Sequence, residues 1–179
     1  STLRGHYPLE TEVLRRELEA AGLAVDGEVL CPFFKEGGRF TLGGVHYVLQ
    51  GRELIPAAET EFAADKTFGY RSSYLPDYIE EKTLGASPAS EVLLIPIEQL
   101  RALDYDGIAE KLCSVRGFGK VCVDAVDYCD VKVFSVALYR AAARGRRFLF
   151  RTAASLVKAL GGVSDRPLLR REEMVTRPG

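Results

Sequence analysis

The first apolar pattern in the chain has helical spacing and covers residues 8–21. Pro8 suits a first helical position, and Gly22 follows the last apolar residue. The apolar stripe consists of Val13, Leu14, Leu18 and Ala21. Charged residues between them would solvate the opposite face, so we expect the stripe to pack on a sheet.

The second half of the chain alternates between short apolar runs and helical patterns. The runs at residues 92–95 and 120–123 are typical of buried parallel strands, and residues 148–150 predict a third strand. A helical pattern follows each run. The first covers residues 104–112, the second can be capped by Asp127 and ends at Gly145, and the third can be capped by Thr152. This alternation predicts an α/β fold, a three-layer Rossmann-like parallel sheet.

The segment between the first helix and these units has a different pattern. Residues 28–34 and 39–49 are apolar and extended, with glycines marking turns, and they predict a β-rich insertion. Residues 57–83 are polar and aromatic and predict a long functional loop. We therefore expect one α/β domain over residues 1–162, with the insertion and loop at about 28–84. Residues 163–179 contain prolines and many charges, which indicates a linker.

Composition narrows the class of protein. With 24 basic and 25 acidic side chains, the chain lacks the basic surplus of a nucleic-acid binder, and we expect no nucleic-acid partner. Its four cysteines form no Cys-x-x-Cys pair, so we expect reduced thiols and a cytoplasmic protein. No apolar stretch has the length of a membrane span, and no leader pattern is present, so no membrane partner is expected.

Two polar phrases, residues 1–5 and 148–155, are the candidate site for a small anionic ligand. Ligands of open parallel sheets bind beyond the carboxyl ends of the strands, where Asp124 and Arg151 follow apolar runs. An arginine offers a planar fork of donors that suits a carboxylate or phosphate. The alternative is that Asp124 caps a turn and Arg151 pairs with it. Further candidates from the same phrases and from the polar loop are Thr2, Arg4, Arg71 and Ser155.

Other catalytic motifs are weak. The chain has no Gly-x-Ser-x-Gly elbow, and the glycines and lysine at 116–120 match neither a phosphate-binding loop nor a dinucleotide fingerprint. We interpret 116–120 as a turn entering a strand. The two histidines have no metal-binding spacing, and no carboxylate cluster predicts a metal site.

Six phrases in order carry a family resemblance. They are Ser-Thr-Leu-Arg-Gly-His at residue 1, Glu-Gly-Gly-Arg-Phe-Thr-Leu-Gly-Gly-Val-His-Tyr-Val at 36, Pro-Ala-Ala-Glu-Thr-Glu-Phe-Ala at 56, Phe-Gly-Tyr-Arg-Ser-Ser at 68, Val-Asp-Ala-Val at 123 and Phe-Leu-Phe-Arg-Thr-Ala-Ala-Ser at 148. Together they resemble the N-terminal, sugar-binding domain of the four-carbon acid sugar kinases. The resemblance spans nearly the whole chain.

The resemblance implies an ATP-dependent kinase that phosphorylates a terminal hydroxyl of threonate, erythronate or a 3-oxo-tetronate. Family members usually begin with a strand and an Asp-Asp-x-Thr-Gly motif ahead of the first phrase, and they continue into a second α/β domain that supplies most of the ATP site. Neither is present in this sequence, so we expect residues 163–179 to lead toward that domain and the isolated chain to be inactive. Mg²⁺ would enter the site bound to ATP. The resemblance is also compatible with a homo-oligomer.

Within that family, the candidate residues acquire specific roles. Arg151 and Arg4 would hold the carboxylate or the transferring phosphate, Arg71 would close from its loop, and Asp124 would be the catalytic residue that orients a hydroxyl. Thr2 and Ser155 would contact substrate. Two alternatives stay open: a non-catalytic module that binds a sugar acid, and a purely structural α/β domain with internal ion pairs.

Overall fold

The structure, a computed structural model, describes residues 3–174. Its helices and strands follow in this order: α1 (Leu9–Ala20), β1 (Gly27–Cys31), β2 (Arg39–Leu42), β3 (Val45–Gln50), β4 (Glu53–Pro56), α2 (Leu75–Lys82), β5 (Leu93–Ile95), α3 (Ile97–Arg101), α4 (Tyr105–Ser114), β6 (Gly119–Val123), α5 (Tyr128–Ala143), β7 (Phe148–Thr152), α6 (Ala154–Leu160) and α7 (Arg171–Met174). Short 3₁₀ turns lie at Ala57–Glu59 and Ala89–Glu91.

A parallel sheet with the strand order β5-β6-β1-β7 forms the centre of the domain. All five residues of β1 are buried, because β1 lies between two strands and is covered on both faces. Strands β2, β3 and β4 form a separate antiparallel sheet. The predicted α/β class, with a parallel sheet and a β-rich insertion, is confirmed.

Different elements cover the two faces of the parallel sheet. On one face, Val29, Val121 and Val123 pack in a core with helices α3 to α6, including Leu112 and Phe134. On the other face, buried residues of the sheet pack with the N-terminal segment, β3 and α2. This second core contains Leu3, Tyr7, Leu30, Val48, Leu75, Tyr78, Ile79 and Cys122. The sheet is therefore the middle of three layers.

The longest helix begins at the predicted cap. Asp127 precedes α5, and Asp130 completes a capping box with it. The predicted turn ahead of β6 is also present, with Gly117 and Phe118 both at φ 63°. The structure thus confirms the alternating units of the second half.

A buried ion pair ties the N-terminal segment to the sheet. Lys120 Nζ lies 2.7 Å from Glu28 Oε2, and these residues are register partners on β6 and β1. The Tyr7 hydroxyl donates to the same oxygen at 3.4 Å. The segment before α1 is therefore anchored on the sheet.

Three expectations about local structure are wrong. Residues 28–31 belong to the central strand β1 of the parallel sheet, so the insertion begins after them. The apolar stripe of α1 is not core: Val13 is 39% exposed and Leu14 54% exposed, because α1 lies beside the edge strand β7. Thr152 does not cap α6; its hydroxyl donates to the Cys31 carbonyl, and Ala153 is the cap residue.

The division at residue 162 stays a prediction. Within the described part of the tail, the chain forms the four-residue α7, and Arg166 pairs with Glu173 at 3.1 Å.

Candidate functional site

A cleft of about 410 Å³ opens at the end of the parallel sheet where β1 and β7 finish. Its lining residues are Arg4, Phe34, Gly37, Arg39, Arg151, Thr152, Ala153 and Ala154. Three of them are arginines, and none of these described lining residues is acidic. We call this space the arginine cleft. The structure thus brings together Arg4 and Arg151, which lie in separate phrases of the sequence.

Arg151 is largely buried, with 10% of its side chain exposed. Its Nη1 donates to Glu10 Oε2 at 2.7 Å, and its Nη2 donates to the Arg4 carbonyl at 3.1 Å. The guanidinium lies 5.0 Å from the centre of the Tyr7 ring. Its Nε is buried and has no acceptor among the described residues. A buried donor of this kind calls for a partner, so Arg151 has capacity for an anion.

Gly5 and Glu10 set the position of Arg151. Glu10 Oε1 accepts from the His6 amide at 2.8 Å. This bond and the Arg151 guanidinium lower the pKa of Glu10. A Cβ on Gly5 would lie 2.9 Å from Glu10 Oε1 and 3.0 Å from Arg151 Nη2, and φ of Gly5 is +138°. Only glycine therefore leaves room for the pair in this backbone conformation.

Arg4 lies at the rim of the cleft, with 60% of its side chain exposed. Its Nη2 is 3.1 Å from Asp65 Oδ2, and its guanidinium lies 5.5 Å from the centre of the Phe68 ring. Asp65 also accepts from the amides of Phe68 and Thr67, and these bonds lower its pKa. The polar loop thus supplies the carboxylate that holds Arg4 near the cleft.

Arg39 also lines the cleft and was not predicted from the sequence. It begins β2, and its Nη1 donates to the Gly37 carbonyl at 2.6 Å. Its guanidinium lies 5.0 Å from the centre of the Phe62 ring. The Gly-Gly-Arg phrase was the available signal, since a turn before a strand can direct a side chain toward a neighbouring loop.

Asp124 is buried and does not line the cleft. Its Oδ2 accepts from the Gly43 amide at 2.8 Å and the Ile97 amide at 3.2 Å. Its Oδ1 accepts from the Gly44 amide at 2.9 Å. Burial raises the pKa of Asp124 despite these three bonds. The carboxyl joins the β2–β3 turn and the start of α3 to the end of β6. These contacts favour a positioning role and lend no support to its predicted catalytic role.

The remaining predicted residues do not line the arginine cleft. Ser155 is buried; it accepts from the Lys35 amide at 3.3 Å, and its hydroxyl lies 3.4 Å from the Tyr128 hydroxyl. The Arg71 side chain is exposed, and the Arg71 amide donates to Glu81. Thr2 lies outside the described residues. Substrate contact by these three residues therefore stays a prediction.

The cleft draws its positive charge from guanidinium groups. Helix α6 begins beside the cleft, but it has only seven residues, so its helix dipole adds little positive potential there. Arginine forks bind carboxylates and phosphates through paired, charge-assisted hydrogen bonds. The arrangement can therefore hold an oxyanion and orient the rest of the molecule.

Neither a metal cluster nor a membrane span is found in residues 3–174. Three or more His, Cys, Asp or Glu side chains that could hold a metal ion do not come together there. No helix in this part of the chain is long and apolar enough to cross a bilayer. The four cysteines are free thiols.

Comparison with solved structures finds the same fold in larger proteins. A Bordetella bronchiseptica domain of unknown function (DUF1537), solved as a domain-swapped dimer with bound citrate, is 26% identical, with a TM-score of 0.60 over 93% of this chain and 37% of that one. A Haemophilus influenzae DUF1537 protein is 18% identical, with a TM-score of 0.58 over 83% and 33%. A Salmonella typhimurium protein described as a putative tRNA synthase is 17% identical, with a TM-score of 0.59 over 90% and 35%.

These three proteins are longer than the chain, which spans about a third of their length. No curated protein matches the sequence. The model of the family "Sugar-binding N-terminal domain" matches residues 1–160. This match covers the parallel sheet, the insertion and the arginine cleft. The chain therefore belongs to the family of sugar-binding N-terminal domains.

Proposed function

We propose that this chain is the substrate-binding part of an ATP-dependent kinase that phosphorylates a terminal hydroxyl of a four-carbon sugar acid. The observation that carries the proposal is the arginine cleft, in which Arg4, Arg39 and Arg151 meet and none of the described lining residues is a carboxylate. A sugar acid has one carboxylate for an arginine fork, and its hydroxyls need polar partners.

The three arginines have different capacities for a substrate. Arg151 is buried and keeps an unpartnered Nε–H, so we assign the substrate carboxylate to Arg151 and its neighbour Arg39. Arg4 is exposed at the rim, where a transferring phosphoryl group would approach, and Asp65 holds it there. Phosphoryl transfer depends mainly on orientation and on neutralising charge, which these groups would supply.

The phosphate donor would bind mainly outside this chain. We propose that ATP and Mg²⁺ are held by a further domain of the whole protein, because the described residues contain no carboxylate cluster for the metal. The citrate bound to the Bordetella bronchiseptica relative supports recognition of carboxylates by this family. Asp124 would act indirectly in this scheme, by holding the β2–β3 turn at the far end of the strand that Arg39 begins.

A non-catalytic sugar-acid-binding module is the second candidate function. The observation that favours it is the absence of a carboxylate or histidine among the described lining residues, since transfer to a hydroxyl commonly uses a base. In that case the arginine cleft would bind the acid without transfer.

Two measurements separate these functions. Calorimetry on the 179-residue chain with threonate, erythronate and a 3-oxo-tetronate tests binding, and we expect heat of binding with at least one of them. Phosphorylation of the same acids by the whole protein with Mg-ATP tests transfer. Binding without ATP turnover would contradict the kinase, and binding of none of the acids would contradict both candidates.

A further inference from the structure

A second cleft, of about 290 Å³, lies between the start of α5 and the end of α6. Its lining residues are Tyr128, Lys132, Lys158, Ala159, Gly162, Val163, Ser164 and Asp165. It shares no described lining residue with the arginine cleft. We call it the lysine cleft.

Ammonium groups gather around the Tyr128 ring. Lys158 Nζ lies 4.4 Å from the ring centre, and Lys35 Nζ lies 5.9 Å from it. A tyrosine face attracts cations at these distances, which favours this grouping of positive charges. Lys132 lines the same cleft from α5 and has no ion pair within the described part of the chain.

The acidic residues closest to the Tyr128 ring already have partners. Asp127 caps α5 and pairs with Lys35. Glu36 accepts from the Tyr128 hydroxyl at 2.7 Å. These pairs leave the charges of Lys132 and Lys158 to be balanced by Asp165 or by another anion in the cleft.

The chain itself places one anion there. Asp165 pairs with Lys158, and 94% of the Asp165 side chain is exposed. Lys158 lowers the pKa of Asp165 most, and Lys132 and Lys35 lower it further. The charges of three lysines therefore act on the position of the Asp165 carboxylate. Because this carboxylate is exposed, an anion from solution can compete for the same position.

We propose that the lysine cleft binds the phosphate group of a soluble phosphorylated compound and that Asp165 takes the place of that group when the compound is absent. Lysine ammonium groups bind phosphate as point charges and need no planar partner. Two of them in one small cleft suit a diphosphate better than a single carboxylate. This inference does not depend on the kinase proposal, since the two clefts are separate.

The test is a titration of the 179-residue chain with inorganic pyrophosphate, followed by ¹H–¹⁵N NMR. We expect the largest shifts at the amides of Lys158, Ala159 and Gly162. Replacing both lysines, K132A/K158A, should weaken binding at least tenfold. D165N should strengthen it about threefold, because the competing carboxylate is lost. K66A is the matched control, an exposed lysine outside both clefts, and should leave the affinity unchanged.

Several results would overturn the inference. Shifts confined to Arg4, Arg39 and Arg151 would assign pyrophosphate to the arginine cleft. Equal affinity in K132A/K158A and the unmodified chain would remove the lysines from binding. Equal binding of acetate and pyrophosphate would contradict the preference for phosphate. Both lysines have exposed or half-buried side chains, so the unchanged amide spectrum of the double variant can verify that it folds.

Discussion

Asp124 and Arg151 occupy comparable places in the fold and have opposite capacities for a ligand. Asp124 directly follows β6, and Arg151 lies near the end of β7. Both are largely buried. Asp124 accepts from three amides, one of them at the start of α3, whereas the buried Nε–H of Arg151 has no acceptor among the described residues.

The contrast shows that position at a strand end does not by itself identify a binding residue. Ligands of parallel sheets do bind at this edge, and the arginine cleft lies there. The residues at that edge differ, however, in whether their hydrogen-bonding groups already have partners within the protein. The carboxyl of Asp124 is satisfied within the fold, whereas Arg151 keeps one buried donor without an acceptor among the described residues.

Replacing Asp124 should have the largest effect on stability. In D124A, three amides lose the carboxyl as their acceptor, and two of them, those of Gly44 and Ile97, are buried. Each such group costs roughly 1–3 kcal/mol, so we expect a loss of about 3 kcal/mol or more in the free energy of unfolding. Urea unfolding measures this value. D77A, on an exposed position of α2, is the control and should change stability little. A stable D124A would contradict the positioning role.

Replacing Gly5 should have the next largest effect. In G5A, the new Cβ meets the Glu10 carboxylate and the Arg151 guanidinium, and the backbone is strained at φ +138°. Strain of this kind costs about 1–3 kcal/mol. G22A is the matched control, because Gly22 also has a positive φ of +79° but no atom within 4 Å of its Cβ position. We expect G5A to lower the melting temperature more than G22A. Equal losses would show that backbone strain alone is responsible.

Replacing Arg151 should affect binding more than stability. R151A removes the buried fork, and we expect affinity for a tetronate to fall at least tenfold, about 1.4 kcal/mol. R151K keeps the charge and loses the paired geometry, so it should recover only part of the affinity. Calorimetry measures both variants. Full affinity in R151A would contradict the assignment of the carboxylate.

The smallest effect is expected for Glu10 and depends on pH. The native pKa of Glu10 is lowered by the His6 amide and by Arg151, so its contribution is present above the unfolded value of 4.5. It is lost as pH falls through the lowered native pKa. Because the side chain is 46% exposed, solvent screening keeps the contribution below about 1 kcal/mol.

Comparison with E10Q isolates this contribution. The melting temperature of the unmodified chain should exceed that of E10Q at pH 7, and the difference should shrink in acid, below the lowered native pKa. A difference that is independent of pH would mean that the Glu10 charge does not stabilise the N-terminal segment.

The fold was predictable where local patterns coincide with tertiary structure. The apolar runs form the strands β5, β6 and β7, and Asp127 is a helix cap, because both signals lie within a few residues. Burial follows position in the sheet: β6 is buried, whereas β7 lies at the edge and leaves Phe150 exposed. The α1 stripe was misleading, since periodicity cannot show whether a helix covers the sheet or lies beside its edge. Residues 28–31 were predicted as extended but assigned to the insertion, because the parallel partners of β1 are about ninety and one hundred and twenty residues away and no local pattern shows them.

The site was predictable only in part. Arg4 and Arg151 stood in conspicuous phrases, but Glu10 pairs with Arg151 across 141 positions of sequence, and no local pattern encodes that contact. Arg39 begins the edge strand β2 and was not predicted to bind a ligand. Its position in the cleft depends on how the second sheet docks, through the Thr41–Ala125 bridge and the Asp124 carboxyl.

The most direct test of the arginine cleft is calorimetry with threonate and erythronate on three proteins: the unmodified chain, R39A and R71A. Arg39 lines the cleft and escaped the sequence analysis, whereas Arg71 was predicted as a ligand but is exposed outside the cleft. We predict that R39A weakens binding at least tenfold and that R71A binds like the unmodified chain. Loss of binding in R71A with full affinity in R39A would contradict the placement of the substrate in the arginine cleft.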